Sequence, residues 1–285
     1  MTKVALIGAG LMGTGLARLF TTHGMAVAAF DASRSALDAL IDAVPASRAA
    51  ISLADAVAQA DIVIEAVSER LELKQSVFAE LAAATGPDTI LATNSSVISV
   101  GAITALLDDR AAARCVGTHF WNPPDLIPLV EVIEGPRTAA ATIAKTLSIM
   151  STAGKEPVHV RRDTVPGNRL QHALWREAIA LVEEGVCSAE DVDRLVKRSF
   201  GLRLAVLGPL ENADLVGLDL TKAIHDVVFP TLSRATAASA LLSDRLAVGA
   251  GGTAAGRGLY QKWTAENVAA LRSRLADHLG KLLDR

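Results

Sequence analysis

The sequence predicts an α/β fold: a doubly wound, mostly parallel sheet over residues 1–163, followed by an all-α domain over residues 164–285. Three observations lead there. Apolar runs of strand length alternate with helix-like segments through the first half, the pattern of parallel βαβ units covered on both faces. After "PVHVRRD" the texture changes, and long helical periods take over. A chain of 285 residues is also longer than one typical domain.

The elements follow in order. "VALI" (4–7) reads as a buried strand, "LMGTGLARLFTTHG" as a helix ended by Gly24, and "AVAAF" (26–30) as a second strand. A short helix at 34–43 is closed by Pro45. "DIVIEAV" (61–67) is a strong strand, and "SVFAELAAAT" a helix before Gly86-Pro87. "TILAT" (89–93), "RCVGTHF" (114–120) and "LVEVI" (129–133) are further strands. In the last, Val130 and Val132 share one face, and Leu129, Glu131 and Ile133 the other. From Asn168 onward, "RLQHALWREAIALVEEGV" places Leu170, Leu174, Ile179 and Leu181 on an apolar stripe, with Arg176, Glu177, Glu183 and Glu184 towards water. Ser188 with Asp191 three residues on is a near relative of the capping box. "AVGAGGTAAGRG" (247–258) reads as a flexible loop.

Composition narrows the function classes. With 51% apolar and 21% charged residues, the chain can build a large core, which argues against long disordered tracts. A net charge of -3 without a Lys/Arg cluster argues against nucleic acid as a partner. Cys115 and Cys187 cannot make a disulfide framework; they read as small hydrophobes in a reducing cytoplasm. The six histidines are scattered, none at metal-ligand spacing to another. The N-terminal stretch has the lysine and apolar run of a leader, but its glycine spacing gives it another meaning. Elsewhere no run reaches the roughly 18 apolar residues of a membrane span, so a soluble, unprocessed chain is expected.

That glycine spacing is Gly8-Ala9-Gly10-Leu11-Met12-Gly13, after a strand and opening a helix. The first glycine makes a tight turn, the second lets backbone approach a diphosphate, and the third lets helix pack on strand. The helix start then offers free N–H groups and a positive dipole end. Asp31 ends the second strand, where a carboxylate accepts from ribose hydroxyls and repels a 2′-phosphate. Together they predict a Rossmann-type domain binding NAD through Gly8, Gly10, Leu11, Met12, Gly13 and Asp31. The alternative is a packed turn with a helix-capping Asp.

Taken as a set, "GAGLMGTGLA", "DIVIEAVSERLELK", "ATNSSVIS", "GTHFWNPPDLIPLVEVI", "PGNRL" and "GPLENADLVGLDL" resemble the NAD-dependent 3-hydroxyacyl-CoA dehydrogenase family, in family order. The last sixty residues match loosely, mainly in "GRGLY". The resemblance implies reversible oxidation of a 3-hydroxy to a 3-oxo group, with His119 and Glu131 as the base and its partner. An imidazole, which titrates near neutrality, suits that role. It further implies that Ser95 bonds the substrate oxygen, that Asn168 orients it, and that Asn122, Glu69 and Lys74 contact the cofactor. For Glu69 and Lys74 the alternative is a solvated pair at an exposed helix start. A homodimer through the helical domain is implied too.

Two departures from the family pattern bear on the substrate. Pro166-Gly167 runs straight into Asn168-Arg169-Leu170, about three residues short, and such a deletion rotates a helix by roughly 300° and shortens it by about 4.5 Å. Between Asp31 and Ile51, where family members using acyl-CoA often carry a protruding helical pair, only one short helix and a strand are expected. The substrate is thus a 3-hydroxyacyl-CoA or, alternatively, a CoA-free hydroxy acid or related alcohol or aldehyde, and Trp121 stands where it would narrow the acyl pocket. A non-catalytic NAD-binding protein is the reading from a different class, supported by the shortened junction and opposed by the intact His119, Glu131 and Ser95.

Overall fold

The computed structural model describes residues 1–283, and contacts divide it into two compact units, one made of Met1–Pro166 together with the chain from Leu279, the other of Gly167–His278. In the first, strands and helices alternate: β1 (Lys3–Ile7), α1 (Leu11–Thr22), β2 (Ala26–Phe30), α2 (Arg34–Ala43), β3 (Arg48–Ala49), α3 (Leu53–Val57), β4 (Ile62–Glu65) and α4 (Leu71–Ala84). There follow β5 (Ile90–Thr93), α5 (Val100–Ile103), α6 (Asp109–Ala112), β6 (Cys115–Phe120), β7 (Leu129–Ile133), α7 (Ala140–Thr152) and β8 (Glu156–Val160). The eight strands form one sheet in the order β3-β2-β1-β4-β5-β6-β7-β8. All neighbours are parallel except β6 and β7. The alternation of strands and helices predicts a mostly parallel sheet, and β6 and β7 are the exception. The short "WNPPDLIP" connection does not allow parallel pairing there, because a parallel crossover needs a dozen or more residues.

Period-2 alternation sends side chains to two cores. Val4, Leu6, Ile62, Ile64, Val116, Val130 and Val132 pack with Leu16 and Phe20 of α1, Leu40 of α2 and Met150 of α7. Ala5, Ile7, Val63, Leu91, Cys115 and Ile133 pack on the other face with Val57, Phe78, Leu81 and Ile103. A sheet buried on both faces needs apolar residues at nearly every position, which is why "VALI" and "DIVI" read as continuous runs. Burial pushes the Cys115 thiol up to about 12, which leaves almost no thiolate at neutral pH.

Strand order reverses at β1, flanked by β2 and β4, and the crevice above the carboxyl ends there is where doubly wound sheets bind ligands. The glycines meet their stated needs. Gly8 has φ +110°, and a Cβ on it would lie 2.6 Å from the Ala66 carbonyl oxygen. A Cβ on Gly13 would lie 2.0 Å from the Gly8 carbonyl oxygen, while one on Gly10 would meet nothing within 4 Å.

The second unit is helical: α8 (Pro166–Glu183, its first residue at the boundary), α9 (Ala189–Arg198), α10 (Pro209–Val216), α11 (Leu218–Val228), α12 (Ala240–Ala247) and α13 (Ala265–Leu283). Ser188 caps α9 by accepting from the Asp191 N–H at 3.1 Å. The glycine-rich stretch makes a turn, with positive φ at Gly249, Gly252 and Gly256 and a bridge between Gly252 and Arg257. Tyr260 donates to Asp193 at 2.7 Å, and burial together with that bond pushes its phenol up to about 12. Among the described residues, no helix is long and apolar enough to cross a membrane, and no group of three or more His, Cys, Asp or Glu could hold a metal ion.

Two outcomes are expected. Gly13→Ala should lower the midpoint of urea unfolding by the equivalent of about 1–3 kcal/mol, the usual cost of overpacking. In the native protein at about pH 8, iodoacetamide should leave Cys115 unmodified until denaturant is added, as read by mass spectrometry.

Candidate active site

At the carboxyl end of β6 the antiparallel register sets His119 directly opposite Glu131. Both are buried, and His119 Nδ1 lies 2.7 Å from Glu131 Oε2. An ionised carboxylate only accepts, so Nδ1 carries the ring proton. Nε2 then faces the Ser96 Oγ at 3.2 Å. The Trp121 ring meets His119 edge-on, with centroids 5.4 Å apart.

The sequence names Ser95 for the substrate oxygen, whereas the hydroxyl next to His119 is that of Ser96. The two residues share one turn after β5, and their hydroxyls point to different partners. The Ser95 hydroxyl donates to Glu69 at 2.9 Å and accepts from the Ile98 N–H at 2.9 Å, which makes it part of the turn. The hydroxyl beside the imidazole belongs to Ser96. Its N–H donates to Glu69 at 2.7 Å, so Glu69 holds both serines.

Lys74 is likewise not a solvated helix-start residue. Its side chain is 1% exposed, and its ammonium donates to Glu65, itself 0% exposed, at 2.7 Å. Glu69 lies 3.6 Å from the same ammonium. Glu65, which the sequence reading left inside a strand, also accepts from the Val67 N–H and from the Thr93 hydroxyl, each at 2.7 Å. Breaking such a buried pair by removing one partner typically costs about 3–5 kcal/mol. A sequence signal was present: a Glu inside "DIVIEAV" is costly to bury unpaired, and Lys74 is a cation within reach.

The loop joining the two strands is tied down on several sides. The Lys155 ammonium donates to the carbonyls of Pro124 and, at 2.7 Å, Ile127. Burial holds that ammonium below the ordinary lysine range. Arg18 of α1 pairs with Asp125 at 2.9 Å. Pro124 rests on α1 where a Cβ at Gly15 would come within 2.6 Å of its ring. Asn122 is exposed at the start of this loop.

On the nucleotide side, Gly10 is the N-cap of α1, with no side-chain capping bond and no acidic residue in the first turn. Leu11 is exposed, Met12 leans on the core, and Asp31 Oδ2 accepts from the Ala9 N–H at 2.7 Å. Asp31 Oδ1 accepts from the Ser33 N–H, so each oxygen keeps capacity for a ribose hydroxyl. Open N–H groups, a bare Gly10 and a terminal carboxylate fit a dinucleotide. Asn168 stands in the first turn of α8, within the second unit.

Comparison with known proteins agrees with this geometry. Residues 3–51 and 45–164 match the 3-hydroxyacyl-CoA dehydrogenase NAD binding domain, and residues 166–262 match the C-terminal domain of the same enzymes. The chain is 34% identical to 5-formyl-3-hydroxy-2-methylpyridine 4-carboxylate 5-dehydrogenase of Mesorhizobium japonicum, over 97% of this chain and 96% of that one. It is 35% identical to 3-hydroxyadipyl-CoA dehydrogenase of Escherichia coli, over 94% of this chain and 60% of that one. With L-carnitine dehydrogenase of Streptomyces coelicolor it shares 36% identity over 75% of this chain and 73% of that one. A crystal structure of the pyridine carboxylate dehydrogenase, described as an NAD+ dependent dismutase, superposes with a TM-score of 0.91 at 32% identity, covering 98% of this chain and 96% of that one. The chain therefore belongs to the 3-hydroxyacyl-CoA dehydrogenase family. It is an NAD-dependent oxidoreductase acting on CH–OH groups.

Proposed function

We propose that the chain oxidises a hydroxy acid, or a related alcohol or aldehyde, of small size and without coenzyme A, and that His119 takes the proton. The observation that carries this reading is the His119 ring, clamped at Nδ1 by Glu131 and turned at Nε2 toward Ser96. The substrate hydroxyl sits between Nε2 and the Ser96 hydroxyl and gives its proton to Nε2. Glu131 stabilises the resulting imidazolium. NAD, when bound, supplies the hydride acceptor. Gly8 to Gly13 and Asp31 hold the dinucleotide, with Leu11 and Met12 at the helix start. Glu69 and Asn122 are its further candidate contacts, and Asn168 is the candidate for orienting the substrate oxygen.

Two features support a small acid. Between Asp31 and Ile51 the chain builds only α2 and the two-residue β3, so no helical pair is present to grip a long coenzyme. The Trp121 ring stands against His119 and narrows the approach. The similarity to the pyridine carboxylate and L-carnitine dehydrogenases points the same way. A 3-hydroxyacyl-CoA is the second reading, favoured by the likeness to the 3-hydroxyadipyl-CoA enzyme.

NADH absorbance, followed with a panel of CoA-free hydroxy and oxo acids, aldehydes and acyl-CoAs, separates these readings. A higher kcat/KM for a CoA-free acid is expected; preference for an acyl-CoA would overturn that part, and tight NAD binding without any turnover would favour a binding protein. His119→Ala should lower kcat by about 10²- to 10⁴-fold while NADH affinity, read by fluorescence, is retained.

The second unit supports a homodimer. Its buried hydrophobic residues among those described are only Val192 and Ala250, whereas Leu170, Leu174, Trp175, Leu218 and Phe229 are exposed. An apolar helical surface of that extent is an association surface. Sedimentation at micromolar concentration should give a dimer; a monomer would contradict it.

A further inference from the structure

Glu65 is a buried carboxylate for which the proposed chemistry has no direct use. It ends β4 at 0% exposure, and two polar routes, one of hydrogen bonds alone and one that includes an ion pair, lead from it to the turn that carries Ser96. The first is short. Thr93 donates its hydroxyl to Glu65 Oε2 at 2.7 Å and accepts from the Ser95 N–H at 3.2 Å. The second runs through Lys74, whose ammonium donates to Glu65 Oε1 at 2.7 Å and lies 3.6 Å from Glu69. Glu69 then accepts from the Ser95 hydroxyl and the Ser96 N–H. The first route ends at the Ser95 N–H and the second at the Ser96 N–H, in the turn whose Ser96 hydroxyl lies 3.2 Å from His119 Nε2.

The charges explain why the set holds together. Lys74 stands between two carboxylates and pairs with the buried one, and the Glu65 oxygens face donors in their hydrogen bonds, so the group serves as an acceptor. An acceptor with three donors around it fixes their directions: the Val67 N–H, the Thr93 hydroxyl and the Lys74 ammonium. Two of those donors are the supports of the serine turn. A core needing only bulk at this place would be filled by an apolar residue at lower cost.

We propose that Glu65, acting through Thr93 and the Lys74–Glu69 pair, is a positioning residue that sets the Ser96 hydroxyl against His119. The proposal rests on the assignment of Ser96 and His119 made above. A double-mutant cycle tests it. Glu65→Gln keeps the shape and removes the charge. With NADH and acetoacetate, and acetoacetyl-CoA as a second arm, Glu65→Gln should lower kcat by about 10- to 100-fold, the scale of a misplaced group. NADH affinity should stay within about twofold. Ser96→Ala should also lower kcat, and the double variant should be no worse than Ser96→Ala alone. Losses that multiply, or an unchanged kcat in Glu65→Gln, would overturn the proposal.

A second measurement needs no turnover. In the NADH complex of 15N-histidine-labelled protein, with the resonance assigned through His119→Gln, the Nε2 signal should move in Glu65→Gln and in Ser96→Ala in the same direction. An unmoved signal in Glu65→Gln, with a moved one in Ser96→Ala, overturns the role of Glu65 and leaves the site assignment standing. If Ser96→Ala changes neither kcat nor Nε2, the Ser96 assignment itself fails and this inference with it. Should Glu65→Gln not fold, Thr93→Val cuts the shorter route alone and is read in the same two ways.

Discussion

The antiparallel pairing of β6 with β7 is the constraint on which the candidate site depends. Side chains directly opposite in such a pair stand about 4.5–5.5 Å apart at Cβ, close enough for a ring nitrogen and a carboxylate to bond without strain. The register His119↔Glu131 gives that distance, and the Nδ1–Oε2 separation of 2.7 Å is its result. A slip of one residue would turn Glu131 to the opposite face of the sheet. The loop anchors at Lys155, Arg18 and Gly15 are therefore part of the chemistry: they resist the slip at the point where the chain reverses.

Around that pair the polar groups form a continuous layer at the carboxyl ends of β4, β5 and β6. Buried charges are expensive in isolation and tolerable when each has a partner and its remaining bonds are made. Glu65, Lys74, Glu69 and Glu131 all follow that rule, with partners at 2.7 to 3.6 Å. Glu69, exposed at its outer side, is the member that meets both the serine turn and the crevice. The layer is thus built from the interior outward, with the least buried carboxylate at its rim.

Much of this was legible in the sequence, for identifiable reasons. Gly8, Gly10, Gly13 and Asp31 carry backbone and charge requirements that no other residues satisfy at that spacing, so the doubly wound half could be read directly. His119 and Glu131 stood in adjacent strands whose apolar alternation was clear. Ser95 and Ser96 could not be separated, because neighbouring residues in a turn point to different sides and only the fold decides which. Lys74 reads as a cofactor contact or, alternatively, a solvated residue, because its partner Glu65 lies nine positions away inside an apolar run. Strand sequence does not encode direction, so the reversal of β7 rests in the sequence on the short, proline-hinged "WNPPDLIP" connection alone. In the helical half the sequence shows the apolar stripe of α8 as a pattern, but pattern alone does not say what covers it, and the described chain buries none of its residues.

The contact between Gly15 and Pro124 has an evolutionary consequence. With a Cβ at position 15 placed 2.6 Å from the Pro124 ring, the nucleotide helix and the catalytic loop occupy shared volume. A change on either side alters what is tolerated on the other. The two segments, more than a hundred residues apart in the chain, must then drift as one inherited unit. A chimera that takes its glycine loop and α1 from another dehydrogenase would have to bring the matching loop after β6 in the same exchange.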